Sequence, residues 1–212
     1  MKIKMKKGIN KSVYPDTDLV ILAGGQARRM NGINKLLQKF DDQIQLIKIH
    51  QQLKSHVAQV WINSHRDDSI YQKMIPSIHC YQDDESGFLG PLMGMKSAWS
   101  HVQADYVLFV PCDVTYIPSK VILKLHQALA KNSLAEVAYV EINGEALYPF
   151  CLVKRSSLAI LTEHLEQKQH SLKHCFADLH AQVARFKNHA LFFHSINSMD
   201  ELQQHQQLKF LH

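Results

Sequence analysis

Short apolar runs alternate along this chain with longer segments that have helical spacing. The first four runs are residues 19–22, 57–63, 78–81 and 106–110, and the last of these is the most apolar. This alternation is typical of a parallel sheet whose strands are joined by crossover helices. We therefore expect a single-domain α/β protein with a mostly parallel central sheet, helices on both faces and a Rossmann-like arrangement.

The second half of the chain continues the pattern and adds a hairpin signal. Asn143-Gly144 separates two apolar runs, and this dipeptide favours a two-residue turn between antiparallel strands. The further expected strands are residues 135–142, 148–153, 183–186 and 191–196. The expected helices are residues 46–56, 69–74, 92–101, 119–130, 156–166, 171–179 and 199–207.

The crossover helix at 119–130 has the clearest start signal. Ser119 precedes Ile122, Leu125 and Leu129, which are spaced to bury one helical face. Serine is a favoured residue at a helix N-terminus, because its hydroxyl accepts a hydrogen bond from a free backbone N–H group. We expect Ser119 to cap this helix.

Length and composition limit the class of protein. With 212 residues, of which 46% are apolar, the chain can bury the core of one domain. No repeat or low-complexity linker marks a boundary, so we expect one domain at residues 17–212 after a basic tail at residues 1–16. The net charge of +5 suits an anionic ligand, but the basic residues are scattered, which argues against nucleic acid as a partner.

Two further observations concern the cellular environment. No run of about 18 apolar residues occurs, so we expect no membrane partner. The four cysteines are far apart and lack the paired spacing of a disulfide framework or a zinc site. We expect reduced thiols and a cytoplasmic location.

The loop after the first apolar run has the composition of a phosphate site. Gly24 and Gly25 allow a phosphate to approach backbone N–H groups closely, and Arg28, Arg29 and Lys35 supply positive charge. The spacing fits neither a Walker A loop nor the Rossmann glycine pattern. Since adjacent side chains on a helix point in different directions, we expect one arginine to face phosphate and choose Arg29.

Polar residues end or directly follow each of the first four predicted strands. They are the Gly24 turn, Asn63, the pair Asp83-Asp84 and the segment Pro111-Cys112-Asp113. The carboxyl ends of parallel strands share one edge of a sheet, and ligands bind beyond that edge. A carboxylate at Asp113, after the most apolar strand, is well placed to hold a hard cation such as Mg²⁺. The alternative role for Asp113 is a helix cap, which is less expected because Ser119 has the stronger capping signal.

Several motifs resemble those of one enzyme family. The loop at residues 22–35 resembles the signature loop of nucleotidyltransferases with the glycosyltransferase-A-like fold. Its double glycine and the Arg29-Met30 pair resemble those of the molybdenum cofactor guanylyltransferases. Segments with further resemblance to that family are NSHR at 63–66, GPLMGM at 90–95, PCDVTYIP at 111–118 and INSMDEL at 196–202.

This resemblance implies an enzyme that transfers GMP from GTP to molybdenum-bound molybdopterin, with Mg²⁺ as cofactor and pyrophosphate as a product. It implies catalytic roles for Arg29, Lys35 and Asp113, with Lys35 on the phosphates and Asp113 on the metal. Asn63 and Asp83 would read the guanosine. The nucleotide-binding residues would be Leu22, Ala23, Gly24, Gly25, Lys35, Asn63, Asp83, Gly90 and Asp113.

The resemblance also bears on partners and on the second substrate. Molybdoenzymes or their chaperones would receive the product, and the pterin would lie near His170 and Ser171. The chain departs from the family pattern at Asn34, where the family usually has aspartate. It also departs at Asn31, Leu36 and Ser195, where the family usually has glycine, glycine and asparagine.

Two alternative functions are open at this stage. One is another nucleotidyltransferase of the same fold, which would act on cytidine nucleotides or a sugar phosphate. The other is a non-catalytic homologue that binds a nucleotide or the cofactor.

Overall fold

The computed structural model describes residues 14–25, 32–87 and 89–209, and its elements alternate between strands and helices. The strands are β1 (Thr17–Leu22), β2 (Lys39–Phe40), β3 (Gln43–Ile44), β4 (Val60–Asn63), β5 (His79–Tyr81), β6 (Tyr106–Pro111), β7 (Val137–Ile142), β8 (Glu145–Lys154) and β9 (Gln182–Phe186). The α-helices are α1 (Gln45–Leu53), α2 (Asp68–Met74), α3 (Pro91–Ala98), α4 (Val121–Leu129), α5 (Leu158–Glu166), α6 (Leu172–Asp178) and α7 (Met199–Lys209). Short 3-10 helices cover Lys35–Leu37, Lys54–His56 and Arg155–Ser157.

One seven-stranded sheet runs through the molecule in the order β5-β4-β1-β6-β8-β7-β9. β1 pairs in parallel with β4 and β6, and β4 pairs in parallel with β5. β8 lies antiparallel to both β6 and β7, and β9 is parallel to β7. The expected α/β fold with a mostly parallel central sheet is confirmed.

Helices cover both faces of this sheet. Successive side chains of a strand point to opposite faces, so each central strand contributes apolar residues to both layers. In β1, Leu19 and Ile21 belong to the core cluster that contains the buried residues of α1, α2 and α4. Val20 and Leu22 belong to the cluster that contains those of α3, α5 and α6. The nearly continuous apolar sequence of β1 follows from this burial on both faces.

The predicted hairpin connects β7 to β8. Asn143 and Gly144 have φ angles of 54° and 88°, the left-handed conformation that a type I′ turn requires at both central positions. The turn is thus confirmed, and it explains why β8 runs antiparallel to its neighbours.

Residues 191–196 do not form the strand that the sequence analysis expects. Ser195 makes an isolated antiparallel bridge with Val114, and the Ile196 N–H donates to the Asp113 carbonyl at 3.0 Å. Ile196 is buried with Phe40 and Leu202 in a small separate cluster. The apolar residues of this segment therefore anchor it across the end of β6, and no continuous ladder forms.

The expected cap at Ser119 is also wrong. Helix α4 begins at Val121, after Lys120 in the left-handed region with φ of 59°, and no side chain caps it. The Val121 N–H donates instead to the Pro118 carbonyl at 3.2 Å. A main-chain acceptor thus replaces the serine hydroxyl.

The small hairpin of β2 and β3, whose strands have two residues each, was not expected from the sequence. Residues 46–56 form α1 followed by a 3-10 turn rather than one helix. Among the described residues, no helix combines the length and the apolar composition needed to cross a membrane.

Candidate active site

A cavity of about 800 Å³ opens at the edge of the sheet where the parallel strands end. Every predicted site residue in the described part of the chain lines it, namely Leu22, Ala23, Gly24, Gly25, Lys35, Asn63, Asp83, Gly90 and Asp113. Arg28 and Arg29 lie outside the described residues, so the phosphate contact of Arg29 stays a prediction. Asp84 does not line the cavity, and its carboxylate instead accepts from the Lys96 ammonium at 2.8 Å.

The ends of β1, β4 and β6 are tied together by hydrogen bonds that extend beyond the strands. The Ala23 N–H donates to the Asn63 carbonyl at 2.9 Å, and the Cys112 N–H donates to the Leu22 carbonyl at 3.1 Å. These bonds fix the first turn after each strand. The side chains at this edge therefore project from a rigid backbone.

Lys35 and Asp113 form an ion pair in the cavity. The Lys35 Nζ lies 3.0 Å from the Asp113 Oδ2 and 3.3 Å from the Asn197 Oδ1. Lys35 starts a 3-10 helix that is capped by Asn34, whose Oδ1 accepts from the Leu36 N–H at 3.0 Å. The ammonium group thus connects the loop after β1 with the end of β6 and with the segment before α7.

Asn63 and Asp83 form a second polar unit. The Asn63 Nδ2 donates to the Asp83 Oδ1 at 2.9 Å, and the His65 Nε2 lies 3.1 Å from the Asp83 Oδ2. Because an ionised carboxylate only accepts hydrogen bonds, this contact favours the tautomer with a proton on the His65 Nε2. The Asp83 side chain is only 5% exposed, so its orientation is fixed by these two partners.

Gly94 in α3 is a site residue to which the sequence analysis gave no role. A Cβ atom at Gly94 would lie 2.5 Å from the Asn63 Oδ1, and one at Gly24 would lie 2.9 Å from the same atom. Real Cβ atoms do not approach that closely, so both glycines make room for the Asn63 amide. A glycine inside a predicted helix, within the GPLMGM segment, was the available signal.

The cavity has two sides, which flank the end of β6. The glycine side consists of residues 22–25, Asn63, Asp83 and Gly90, on the ends of β1, β4 and β5 and the start of α3. The bulge side consists of residues 146–149 of β8 with His194, Ser195 and Asn197. Since β1 and β8 flank β6 in the sheet, Lys35 and Asp113 lie where the two sides meet.

The bulge side takes its shape from an irregularity in β8. Tyr139 of β7 is paired with Cys151 but Val140 with Leu147, so residues 148–150 have no partner on β7. A bulge of this kind bends its strand and redirects side chains. Tyr148 lies in the bulge, and its ring centroid is 4.8 Å from that of Tyr139 and 6.0 Å from that of Phe176.

The pterin region implied by the resemblance does not coincide with this surface. His170 and Ser171 do not line the cavity, and Ser171 instead caps α6 by accepting from the His174 N–H. Tyr148 was expected only as the first residue of the strand at 148–153, and Leu147 was given no role. A bulge depends on pairing with a neighbouring strand and leaves little local signal.

Cys112 also lines the cavity, but its surroundings do not favour a nucleophilic thiolate. Burial, reinforced by the adjacent Asp113 carboxylate, raises the pKa of the Cys112 thiol to about 12. The thiol therefore stays protonated near neutral pH, whereas a nucleophilic cysteine needs the thiolate form. All four cysteines lie within the described residues, and none is disulfide bonded.

A Rossmann-like sheet with a glycine turn, a lysine and a carboxylate at its carboxyl edge is the architecture of a nucleotidyltransferase. Residues 19–183 match the family described as MobA-like NTP transferase domain. The chain is 69% identical over 196 residues to the molybdenum cofactor guanylyltransferase of Acinetobacter baumannii, an alignment that covers 92% of this chain and 94% of that protein. It is 37% identical over 185 residues to the enzyme of the same name from Pasteurella multocida, with 87% and 96% covered. The chain therefore belongs to the molybdenum cofactor guanylyltransferase family.

A solved structure has the same fold. The molybdopterin-guanine dinucleotide biosynthesis protein A of Archaeoglobus fulgidus superposes with a TM-score of 0.67, covering 92% of this chain and all of that one. The two sequences are 16% identical, so this likeness concerns the fold alone. The family resemblance drawn from the motifs is confirmed by the curated relatives.

Proposed function

We propose that this protein transfers GMP from GTP to molybdenum-bound molybdopterin, forming molybdopterin guanine dinucleotide and pyrophosphate. The observation that carries the proposal is the cavity, in which the predicted nucleotide residues on the glycine side meet Lys35 and Asp113. The membership of the family supports the choice of substrates. The alternatives, a cytidylyl or sugar-phosphate transferase and a non-catalytic homologue, are not favoured, since the relatives that match most of the chain are named guanylyltransferases.

On the glycine side, the backbone at Gly24 and Gly25 and the Lys35 ammonium would hold the triphosphate, together with Arg29. Asn63 and Asp83 would read the guanine. A carboxylate accepts hydrogen bonds from N–H donors on a base, and guanine presents such donors on its Watson–Crick edge. The fixed orientation of Asp83 supports this role.

The residues present fit Mg²⁺ as a cofactor that binds together with the nucleotide. Asp113 and Asn197 supply hard oxygen donors, and both contact the Lys35 ammonium. No group of three or more acidic, histidine or cysteine side chains that could hold an ion occurs among the described residues. Mg²⁺ is commonly held by one or two carboxylates plus substrate phosphates, so Asp113 would be its protein ligand. The ion would supply charge neutralisation at the phosphate oxygens.

The reaction needs positioning and charge neutralisation rather than a covalent enzyme intermediate. An oxygen of the terminal phosphate of molybdopterin would attack the α-phosphorus of GTP in line. The bond between the α-phosphorus and the oxygen that joins it to the β-phosphorus would break, and pyrophosphate would leave with the electron pair. The attacking phosphate is ionised near neutral pH, so no side chain has to remove a proton. Lys35 and Arg29 would stabilise the charge that develops on the phosphates.

The bulge side would receive molybdopterin. The Tyr148 ring is supported from behind by Tyr139 and Phe176 and offers an aromatic surface for a flat heterocycle. Ser195 and Asn197, which are hydrogen bonded to each other at 3.0 Å, supply polar groups beside it. We further propose a cytoplasmic location, in keeping with four unpaired thiols, and delivery of the product to molybdoenzymes or their chaperones.

The test is to incubate the purified protein with GTP, Mg²⁺ and molybdenum-bound molybdopterin and to measure pyrophosphate release and dinucleotide formation. We expect both products with GTP, neither with CTP, and a loss of both when Mg²⁺ is chelated. GTP should also raise the unfolding temperature, because a ligand that binds only the folded state stabilises it. Stabilisation by CTP alone, or GTP binding without pyrophosphate release, would contradict the proposal.

A further inference from the structure

Asn34 departs from the usual family pattern, and its side chain is engaged on three sides. Its Oδ1 accepts from the Leu36 N–H at 3.0 Å. Its Nδ2 donates to the Asp67 Oδ2 at 2.6 Å and to the Tyr71 hydroxyl at 2.7 Å. One side chain thus links the 3-10 helix of Lys35 to the start of α2.

The identity of the partner explains why the side chain at position 34 is an amide. Asp67 is an acceptor when ionised, so the group that faces it has to donate. A carboxylate at position 34 could still accept from the Leu36 N–H, but its second oxygen would face the Asp67 carboxylate at hydrogen-bond distance. Two carboxylates in such contact repel each other, and one of them has to bind a proton.

A second contact ties the same two segments together. The Arg66 Nη1 donates to the Gly32 carbonyl at 2.6 Å, two residues before Asn34. On the other side of Asn34, Leu36 is completely buried in the core. The backbone that carries Lys35 is therefore held by Arg66, by Asn34 and by Leu36. Asn34 and Leu36 both adjoin Lys35, and of the two it is Asn34 whose side chain is hydrogen bonded to Asp67 and to Tyr71 of α2.

We propose that Asn34 is a positioning residue that acts through Lys35, and that it must be an amide because it faces Asp67. By holding the start of the 3-10 helix against α2, it aims the Lys35 ammonium into the cavity where GTP would bind. The inference rests on the proposed function in that GTP is taken as the ligand. It gives Asn34 a role, whereas the proposed reaction as described above does not involve this residue.

The test measures the dissociation constant of GTP in the presence of Mg²⁺ for Asn34→Asp, Asp67→Asn and the double variant. We expect N34D to weaken GTP binding by about tenfold to a hundredfold, as when a buried polar contact is broken. D67N should cost less than about fivefold, because an amide oxygen still accepts from Asn34. Asp67 has a left-handed φ of 65°, which asparagine tolerates.

The double variant is the discriminating measurement. It exchanges the donor and the acceptor, and we expect GTP affinity to return to within about threefold of wild type, because contacting residues are not additive. The matched control is Asn132→Asp. Asn132 makes the same local hydrogen bond, with its Oδ1 accepting from the Leu134 N–H two residues later at 3.0 Å, but it does not line the cavity. N132D should bind GTP as wild type does.

A second background separates positioning from a general loss of structure. If Asn34 acts through Lys35, then adding N34D to Lys35→Gln should not weaken GTP binding further. A further loss in the K35Q background, wild-type affinity in N34D, or no recovery in the folded double variant would each overturn the inference. Should N34D fail to fold, Asn34→Ser replaces it. Serine keeps an acceptor for the Leu36 N–H but lacks the amide, and its effect on GTP binding is compared in the wild-type and K35Q backgrounds.

The failure of this inference is distinguishable from that of the proposed function. GMP transfer by the wild-type protein is measured in parallel with binding. Absent transfer with intact GTP binding would overturn the proposed function and leave the role of Asn34 standing. Normal GMP transfer by the wild-type protein, together with GTP binding by N34D equal to that of wild type, would overturn the role of Asn34 and leave the proposed function standing.

Discussion

The glycine side and the bulge side of the cavity are built in different ways. The glycine side lies at the ends of the parallel strands β1, β4 and β5, and most of its residues end one of these strands or follow it closely in the sequence. The bulge side combines an irregular antiparallel strand with residues 194–197, which cross the end of β6. The first side is therefore specified by local signals, whereas the second depends on contacts between distant parts of the chain. Three substitutions test whether the two sides also act separately, and a fourth tests a site away from both.

The largest effect is expected at Asp113, where the sides meet. Asp113→Ala removes the proposed metal ligand and should lower GMP transfer by at least about a thousandfold. The fold should remain intact, since Lys35 keeps its contact with Asn197. Pyrophosphate release gives the rate, and the unfolding temperature should stay within about 5 °C of wild type. Full activity in this variant would refute the role of Asp113.

A substitution at Gly94 should damage the glycine side alone. The new Cβ atom in Gly94→Ala would displace the Asn63 amide, which lies 2.5 Å from that position, and break its bond to Asp83. We expect the KM for GTP to rise by about tenfold to a hundredfold, with the KM for molybdopterin unchanged. As a control, G94A in an Asn63→Ala background should add nothing. An additive loss would mean that Gly94 acts by another route.

Tyr148 should show the reverse pattern. Tyr148→Ala removes an aromatic surface, and we expect the KM for molybdopterin to rise by about tenfold while the dissociation constant of GTP stays the same. Tyr148→Phe keeps the ring and should behave like wild type. Equal losses of affinity for both substrates would remove the distinction between the two sides.

The smallest effect concerns stability, away from both sides. His126 in α4 is buried, with its Nε2 at 2.9 Å from the Thr17 hydroxyl, and burial lowers its pKa from 6.5 to about 4. As the pH falls, His126 binds a proton in the unfolded chain before it does so in the folded one. The stability that neutral His126 contributes to the folded state is therefore complete above pH 6.5 and is lost between pH 6.5 and 4.

The matched variant for this effect is His126→Gln, which has no ionisable group. When the pH falls from 7 to 4, wild type should lose about 2–3 kcal/mol more of its unfolding free energy than H126Q does. Urea denaturation at several pH values measures it. Parallel stability curves for the two proteins would show that His126 does not titrate in this range. GTP affinity at pH 7 should not change.

The contrast between the two sides also explains what the sequence could predict. Strands β1, β4, β5 and β6 and the polar residues at their ends were predicted, because an apolar run and a turn at its end are local properties of the sequence. Gly94 was visible as a glycine in a helix, but its contact with Asn63 depends on how α3 packs against β4. Helix α4 begins after Lys120 because the backbone turns there in the left-handed region, although Ser119 is the residue type that favours a cap.

The bulge side was predicted poorly for a related reason. Residues 191–196 have an apolar composition that suits a strand, but their partners are the loop after β6 and the cluster of Phe40, Ile196 and Leu202. The register shift in β8 depends on pairing with β7 and leaves no local pattern. Tertiary contacts of this kind override short-range preferences.

The contacts of Lys35 with both Asp113 and Asn197 have a thermodynamic consequence. A ligand that drew the ammonium toward one side would change what the other side presents, and occupancy of one side would then be coupled to affinity at the other. By linkage, the factor by which GTP changes the affinity for molybdopterin equals the factor by which molybdopterin changes the affinity for GTP. Two independent titrations of this protein therefore measure a single coupling free energy.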